Sequence, residues 1–241
     1  MISKTKLKEL TAYRQQKRCD EEAVFIVEGP KMAAEAIAAG FTIRACCATE
    51  QWQGGCDHIE VSDAELGRLS LMRSPNQVWM LVERPSTFPT AGRRTPLTLA
   101  LDRIQDPGNL GTLMRTADWY GVRHIVCSND TVGCYNPKVV QATMGAIFRT
   151  KVEYVDLPQW LASCGKPVYG ASLKGRPLRE VTPPKAESVL LIGNESRGIS
   201  AAAMACVTHP VLIPNIGGTA ESLNAAVAAG IIMHQFIDTE R

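Results

Sequence analysis

From Leu97 to Phe236 the chain alternates short, continuously apolar runs with segments of helical pattern, and this alternation limits its fold more than any other feature. Leu97–Leu101, His124–Cys127, Lys151–Val155, Val168–Ala171, Val189–Ile192 and Val211–Ile213 read as strands. Helices are predicted between and after them, over Asn109–Tyr120 (stopped by Gly121), Pro137–Gly145, Pro158–Ser163, Ala201–Cys206 and Ser222–Phe236. Strands without polar alternation need cover on both faces, so the fold class is α/β, with a mostly parallel sheet and helices on both sides. The last helix is apolar nearly all round and is predicted to be buried.

The N-terminal third is shorter in pattern. Val24–Val27 reads as a strand, Pro30 opens a helix that Gly40 stops, and Phe41–Ala48 and Gln77–Glu83 read as further strands. Ser62 and Glu65 form a capping box for a helix at Ala64–Leu69. Arg84–Pro96 holds three prolines and no apolar periodicity, so a linker is placed there. At about 150 residues per domain, two small domains fit the length. They are placed at 1–90, a small α/β domain, and 97–241.

Charge is nearly balanced, with 26 Lys and Arg against 24 Asp and Glu, which excludes a histone-like polycation. One local excess stands out. Lys4, Lys6, Lys8, Arg14, Lys17 and Arg18 face only Glu9 and Asp20 in the first twenty residues. They form either a solvated helical face or a phosphate-contacting arm. The eight cysteines make no C-x-x-C pair and only four histidines accompany them, so no metal is expected. Several lie in apolar strand-like runs, where cysteine behaves as a small hydrophobe. Met1–Lys8 lacks an apolar signal core and no run approaches the roughly 20 residues of a membrane span. A cytoplasmic protein with free thiols and no membrane contact is expected.

Three segments following strands hold polar residues that packing alone does not require. In the first, Asp106-Pro-Gly108 is a turn, Asn109 is suited to cap the helix, Gly111 opens its first turn, and Arg115 lies four residues beyond that glycine. In the second, a strand ends in Gly193-Asn194-Glu195, with Gly198 and the cap candidate Ser200 beyond; the glycine permits close approach of a ligand, and the carboxylate accepts hydrogen bonds. In the third, Ile213-Pro214 leads through Gly217-Gly218 to Ser222-Leu223-Asn224 at a helix start. Taken singly, each reads equally well as an ordinary capped turn. No Walker A loop, no G-x-G-x-x-G after a strand and no G-x-S-x-G elbow is present.

Taken together and in this order, the segments resemble the SpoU/TrmH family of RNA ribose 2′-O-methyltransferases of the SPOUT superfamily. The likeness rests on Asn109, Gly111, Arg115 and Ala117; on Gly193, Asn194, Glu195 and Gly198; and on Ile213, Pro214, Gly217, Ser222, Leu223 and Asn224. Tyr135-Asn-Pro-Lys138, Met144–Arg149 and Phe25–Gly29 extend it, the last resembling an N-terminal RNA-binding domain related to a ribosomal protein fold. Asn215 departs from the family's usual methionine, and Ala225-Ala226 from a common Val-Ser pair.

The resemblance implies a deep C-terminal trefoil knot, a homodimer with the site near the subunit contact, and S-adenosylmethionine held bent in the knot, largely by backbone groups. Cofactor contacts are expected at Ser172, Gly193, Ile213, Ser222 and Leu223. Arg115 is the family's usual general base. A guanidinium, which gives up its proton only with great difficulty, suits a phosphate clamp better, with the phosphate or Glu195 taking the proton and Asn109, Ser222 and Asn224 positioning the ribose. The expected partner is structured RNA, ribosomal more than transfer RNA. A non-catalytic RNA-binding module and a base-nitrogen methyltransferase are the alternatives.

Overall fold

A computed structural model describes residues 2–87, 96–184 and 186–237. Its first elements are α1 (Lys4–Thr11), α2 (Gln16–Glu21), β1 (Val24–Glu28), α3 (Pro30–Ala38), β2 (Ile43–Ala48), β3 (Ile59–Glu60), α4 (Asp63–Leu69) and β4 (Val78–Glu83). Next come β5 (Leu97–Asp102), α5 (Pro107–Trp119), β6 (His124–Ser128), α6 (Pro137–Ala142), β7 (Lys151–Val155) and α7 (Leu157–Ser163). The chain ends with β8 (Val168–Pro177), β9 (Ser188–Gly193), α8 (Ala201–Met204), β10 (His209–Leu212) and α9 (Ala225–Ile237). No described helix is long and apolar enough to cross a membrane. Most of the linker expected at Arg84–Pro96 lies outside the described residues.

The chain divides into two compact units. One comprises Met1–Pro89 and Cys134–Arg149, the other Thr90–Gly133 and Thr150–Arg241. In the first, β1-β4-β2-β3 form a mixed sheet, packed on one face by Leu7 and Leu10 of α1 and Leu66 and Leu69 of α4. The capping box at Ser62 and Glu65 forms, and Gly40 takes the left-handed backbone, φ +71°, that ends the turn after α3. Cys134–Arg149 joins this unit through aromatic contacts, with Tyr135 4.9 Å and Phe148 6.1 Å from Phe25, and through an Arg149–Glu35 ion pair. The helix expected over Pro137–Gly145 stops at Ala142. Met144 (φ +50°) and Gly145 (φ +98°) then turn the chain into a single 3-10 turn at Ala146–Phe148, which carries Phe148 to Phe41.

The second unit holds six parallel strands in the order β10-β8-β9-β5-β6-β7. All six residues of β5 are buried, as the unbroken apolar pattern requires. Successive strands run outward from β5 through β6 to β7, and the chain then crosses to build β8, β9 and β10 on the other side. The switch point of the sheet therefore lies between β5 and β9, and ligands of open parallel sheets bind beyond the strand C-termini at such a point. Helix α9 packs on α5 and β9, with Gly230 facing Thr116. Its burial differs from expectation: Val227 is half-exposed and Ile231 also reaches the surface, and on α5 Trp119 is 85% exposed.

One buried carboxylate ties the stability of the first unit to pH. The Glu28 carboxylate ends β1, accepting the Leu71 amide at 2.9 Å and the Ser70 hydroxyl. Burial pushes its carboxyl above the ordinary range, outweighing these donors. Its proton is thus held more tightly folded than unfolded, and stability falls as pH rises from the ordinary glutamate value through the folded one. In urea titrations, Glu28→Gln is expected to gain stability relative to wild type between pH 4 and pH 7, with the difference smallest at the acid end.

Candidate functional site

In the parallel pairing of β5 and β9, Asp102 lies opposite Gly193, so the two loops beyond these strands leave side by side. The loop after β9 folds back on itself. Asn194 and Gly198 exchange backbone hydrogen bonds at 3.1 and 2.9 Å, and the Asn194 side-chain oxygen accepts the Ser196 and Arg197 amides. The Asn194 amide donates to the Arg103 carbonyl at 2.9 Å, and buried Asp102 accepts the Ser200 amide. This tight return explains Gly193. A Cβ there would lie 2.2 Å from the Ile199 nitrogen, so the close approach is made by the protein's own backbone, where a ligand was expected.

Asn109 does not cap α5. Pro107 occupies the first helical turn, which makes Asp106 the cap; its carboxylate accepts the Asn109 amide at 2.8 Å. The Asn109 side chain is thereby free to face the neighbouring loops. It donates to the Glu195 carboxylate and accepts from Asn224 Nδ2 at 2.8 Å. Helix α9 begins at Ala225, three residues later than expected, because Asn224 is its cap: Oδ1 accepts the Ala226 and Val227 amides at 2.9 and 3.3 Å. Asn224, Asn109 and Glu195 thus form one hydrogen-bonded chain across the three segments.

The remaining predicted residues stand apart from that chain. Arg115 is exposed on α5 and makes no hydrogen bond to a described residue, while Gly111 is buried, so its turn opens onto the core. Ser222 and Leu223 are exposed in the loop before α9. Ser172 sits in β8, where its hydroxyl accepts the Lys174 amide at 3.2 Å. Between β10 and α9, Asn215 organises the glycine loop: its oxygen accepts the Gly217 and Gly218 amides and its nitrogen donates to the Gly218 and Ala220 carbonyls. Among the described residues, the backbone groups of Ile213, Ile216, Ser222 and Leu223 have no hydrogen-bond partner. These groups fit a cofactor bound through its polar edges by main chain.

Half of the N-terminal cations have local partners: Lys6 with Glu9, Lys17 with Glu21, and Arg18 with Glu22. Arg18 also lies 4.4 Å above the Tyr13 ring. Arg14 donates to the Arg68 carbonyl, and Lys4 and Lys8 are exposed without an ion pair among the described residues.

Residues 96–234, more than half of the chain, match the SpoU rRNA methylase family. The chain belongs to this family. Residues 4–79 match the MRM3-like substrate binding domain. The chain is similar to the 23S rRNA (guanosine(2553)-2′-O)-methyltransferase RlmP of Bacillus subtilis, at 29% identity over 95% of this chain and 94% of the relative. Solved structures cover it almost end to end. A TrmH-family protein from Porphyromonas gingivalis has a TM-score of 0.86 at 33% identity, covering 99% of both chains. An AdoMet-bound rRNA methyltransferase from Sinorhizobium meliloti has 0.85 at 28%, covering 100% of this chain and 98% of that one.

Within this SpoU fold, Asp102, Arg103 and Asn215 hold the loops, and sequence reasoning misses them as site residues. The signal for Asp102 is its carboxylate at the end of an otherwise apolar strand. Replacing Asn109 by Asp sets two carboxylates against each other. Asn109→Asp is expected to lower stability by about 1–3 kcal/mol at neutral pH, with the loss shrinking as one carboxylate takes up a proton. Denaturant titrations at pH 7 and near pH 5 check this.

Proposed function

We propose that this chain transfers a methyl group from S-adenosylmethionine to a ribose 2′-hydroxyl in ribosomal RNA. The observation that carries the reading is the Asn224–Asn109–Glu195 chain, which joins all three family segments at the switch point of the sheet. Similarity to RlmP of Bacillus subtilis, and to the AdoMet-bound rRNA methyltransferase of Sinorhizobium meliloti, supports the reaction and favours ribosomal over transfer RNA. The reading includes a cytoplasmic location.

When bound, the cofactor would supply a methyl group on a sulfonium, whose C–S bond breaks to leave a neutral thioether as the C–O bond to the ribose forms in line. The unpaired backbone groups of Ile213, Ser222 and Leu223 would hold it, and Ser172 and Gly193 remain candidates for contact from the resemblance alone. An alcohol is a poor nucleophile until its proton is drawn away. Glu195, oriented by Asn109, accepts that proton. Arg115 has a permanently charged guanidinium and no hydrogen-bonded anion among the described residues, so it clamps the target phosphate and stabilises charge growing on the ribose oxygen. Asn224 and Ser222 orient the sugar.

The division into an RNA-selecting part over residues 1–90 and a methyltransferase part over 97–241 belongs to this reading. Exposed Trp119, Val227 and Ile231 on α5 and α9 support a homodimer formed on that face. The return of α9 from edge strand β10 to α5 and β9 supports the trefoil path.

Incubation with methyl-labelled cofactor and ribosomal RNA should place label on a ribose oxygen; no incorporation, or label on a base, would overturn the reading. Arg115→Ala should lose about 10²–10³-fold in rate while cofactor affinity, measured by calorimetry, stays within a few-fold. A near-normal rate for Arg115→Lys with a lowered apparent pKa would favour the general-base role instead. For the N-terminal arm, Lys4→Glu with Lys8→Glu should weaken RNA binding and reduce its logarithmic salt slope by about 0.7–0.9 for each phosphate no longer neutralised. An unchanged slope would return these lysines to a solvated face.

A further inference from the structure

We propose that Arg103 is a positioning residue for Glu195, holding the loop that presents this carboxylate; the proposal rests on the methyltransferase reading above. Arg103 follows β5 with φ +60°, a left-handed backbone that glycine or asparagine adopts far more readily than arginine. Its amide donates to Ser128 Oγ at the end of β6 at 2.8 Å, and its carbonyl accepts Asn194 Nδ2 after β9 at 2.9 Å. One residue therefore ties together the ends of three adjacent strands.

Turning alone needs no guanidinium. The guanidinium reaches the far limb of the Asn194–Gly198 loop, donating to the Gly198 carbonyl at 3.4 Å. Its Nε is buried without a hydrogen bond, 3.6 Å from Oδ1 of buried Asp102, whose other oxygen accepts the Ser200 amide. Arg103 thus holds Asn194 through its main chain and Gly198 through its side chain, with Asp102 balancing its charge. Glu195 lies between these two anchors and reaches Asn109. Loosening the Gly198 anchor frees the loop to move the carboxylate, while the cofactor-facing backbone near Ile213 and Leu223 is untouched. The effect falls on the methyl-transfer step and spares cofactor affinity.

Arg103→Gly tests this cleanly, because glycine keeps the backbone turn and removes only the side chain. Amide hydrogen exchange should show Ser196, Arg197 and Ser200 exchanging about ten-fold faster in Arg103→Gly, with protection in β5 and β9 unchanged. With ribosomal RNA, kcat should fall about ten-fold while KM for S-adenosylmethionine stays within two-fold. In a Glu195→Gln background the same change should cost less than two-fold, since the residue it positions is already altered. Unchanged loop protection, fully additive losses in the double variant, or a parallel rise in cofactor KM would overturn the proposal. Absence of transfer by wild type would instead overturn the methyltransferase reading, and the exchange measurement would still decide whether Arg103 holds the loop.

Discussion

The candidate site depends on the register of β5 against β9, which sets Asp102 opposite Gly193. Most of this pairing is apolar and buried on both faces, so hydrophobic contact alone would tolerate several alignments. Asp102 removes that freedom. Its buried carboxylate receives the Ser200 amide only in the observed register, and a slip would leave a charge buried without a donor. The same alignment places the loop carrying Glu195 beside the start of α5, where Asn109 waits. The third segment arrives from β10 at the sheet's far edge and closes the arrangement through Asn224.

Asparagine suits the middle of this chain for a specific reason. A side-chain amide donates from one end and accepts at the other, within a single short and rigid group. Asn109 uses its nitrogen on the Glu195 carboxylate and its oxygen on the Asn224 amide. Aspartate would offer no donor to Glu195, and glutamine would reach a different place. The neighbouring polar groups are matched as closely: Asn194 closes its own loop, Asp106 caps α5 and Asn224 caps α9. Arg115 stands apart from this matched set, exposed and without a hydrogen bond among the described residues.

The strands and their order of use were legible in the sequence because unbroken apolar runs have few other homes. Helix starts were less so. Asp106 and Asn109 are both good caps, and the decision turns on Pro107, whose fixed φ and missing N–H favour the first helical position. Likewise Ser222 and Asn224 both suit a cap, and the Ala226 and Val227 amides bonded to Asn224 Oδ1 show which one starts the helix. The grouping of Cys134–Arg149 with the N-terminal unit escaped periodicity altogether, since it rests on ring contacts between Phe25, Tyr135 and Phe148 across more than a hundred residues. An apolar helix face carries the same pattern whether it meets a core or a partner, which is why Val227 and Ile231 read as buried.

Gly193 and Asn215 show how a residue type can be anticipated while its reason is not. Glycine after a strand suggested room for a ligand, yet the space is filled by the backbone at Gly198 and Ile199, so this glycine shapes the loop that carries Glu195. Asn215 stands where the resemblance leads one to expect methionine, and its four hydrogen bonds all run to the main chain of residues 217–220. A methionine could make none of them, so the glycine loop here is closed by polar contacts where an apolar side chain would rely on packing. Asn215 satisfies groups of Gly217, Gly218 and Ala220, while the main-chain groups of Ile213, Ile216, Ser222 and Leu223 have no partner among the described residues. Of these, Ile213, Ser222 and Leu223 are the positions where the resemblance implied a cofactor held largely by backbone groups.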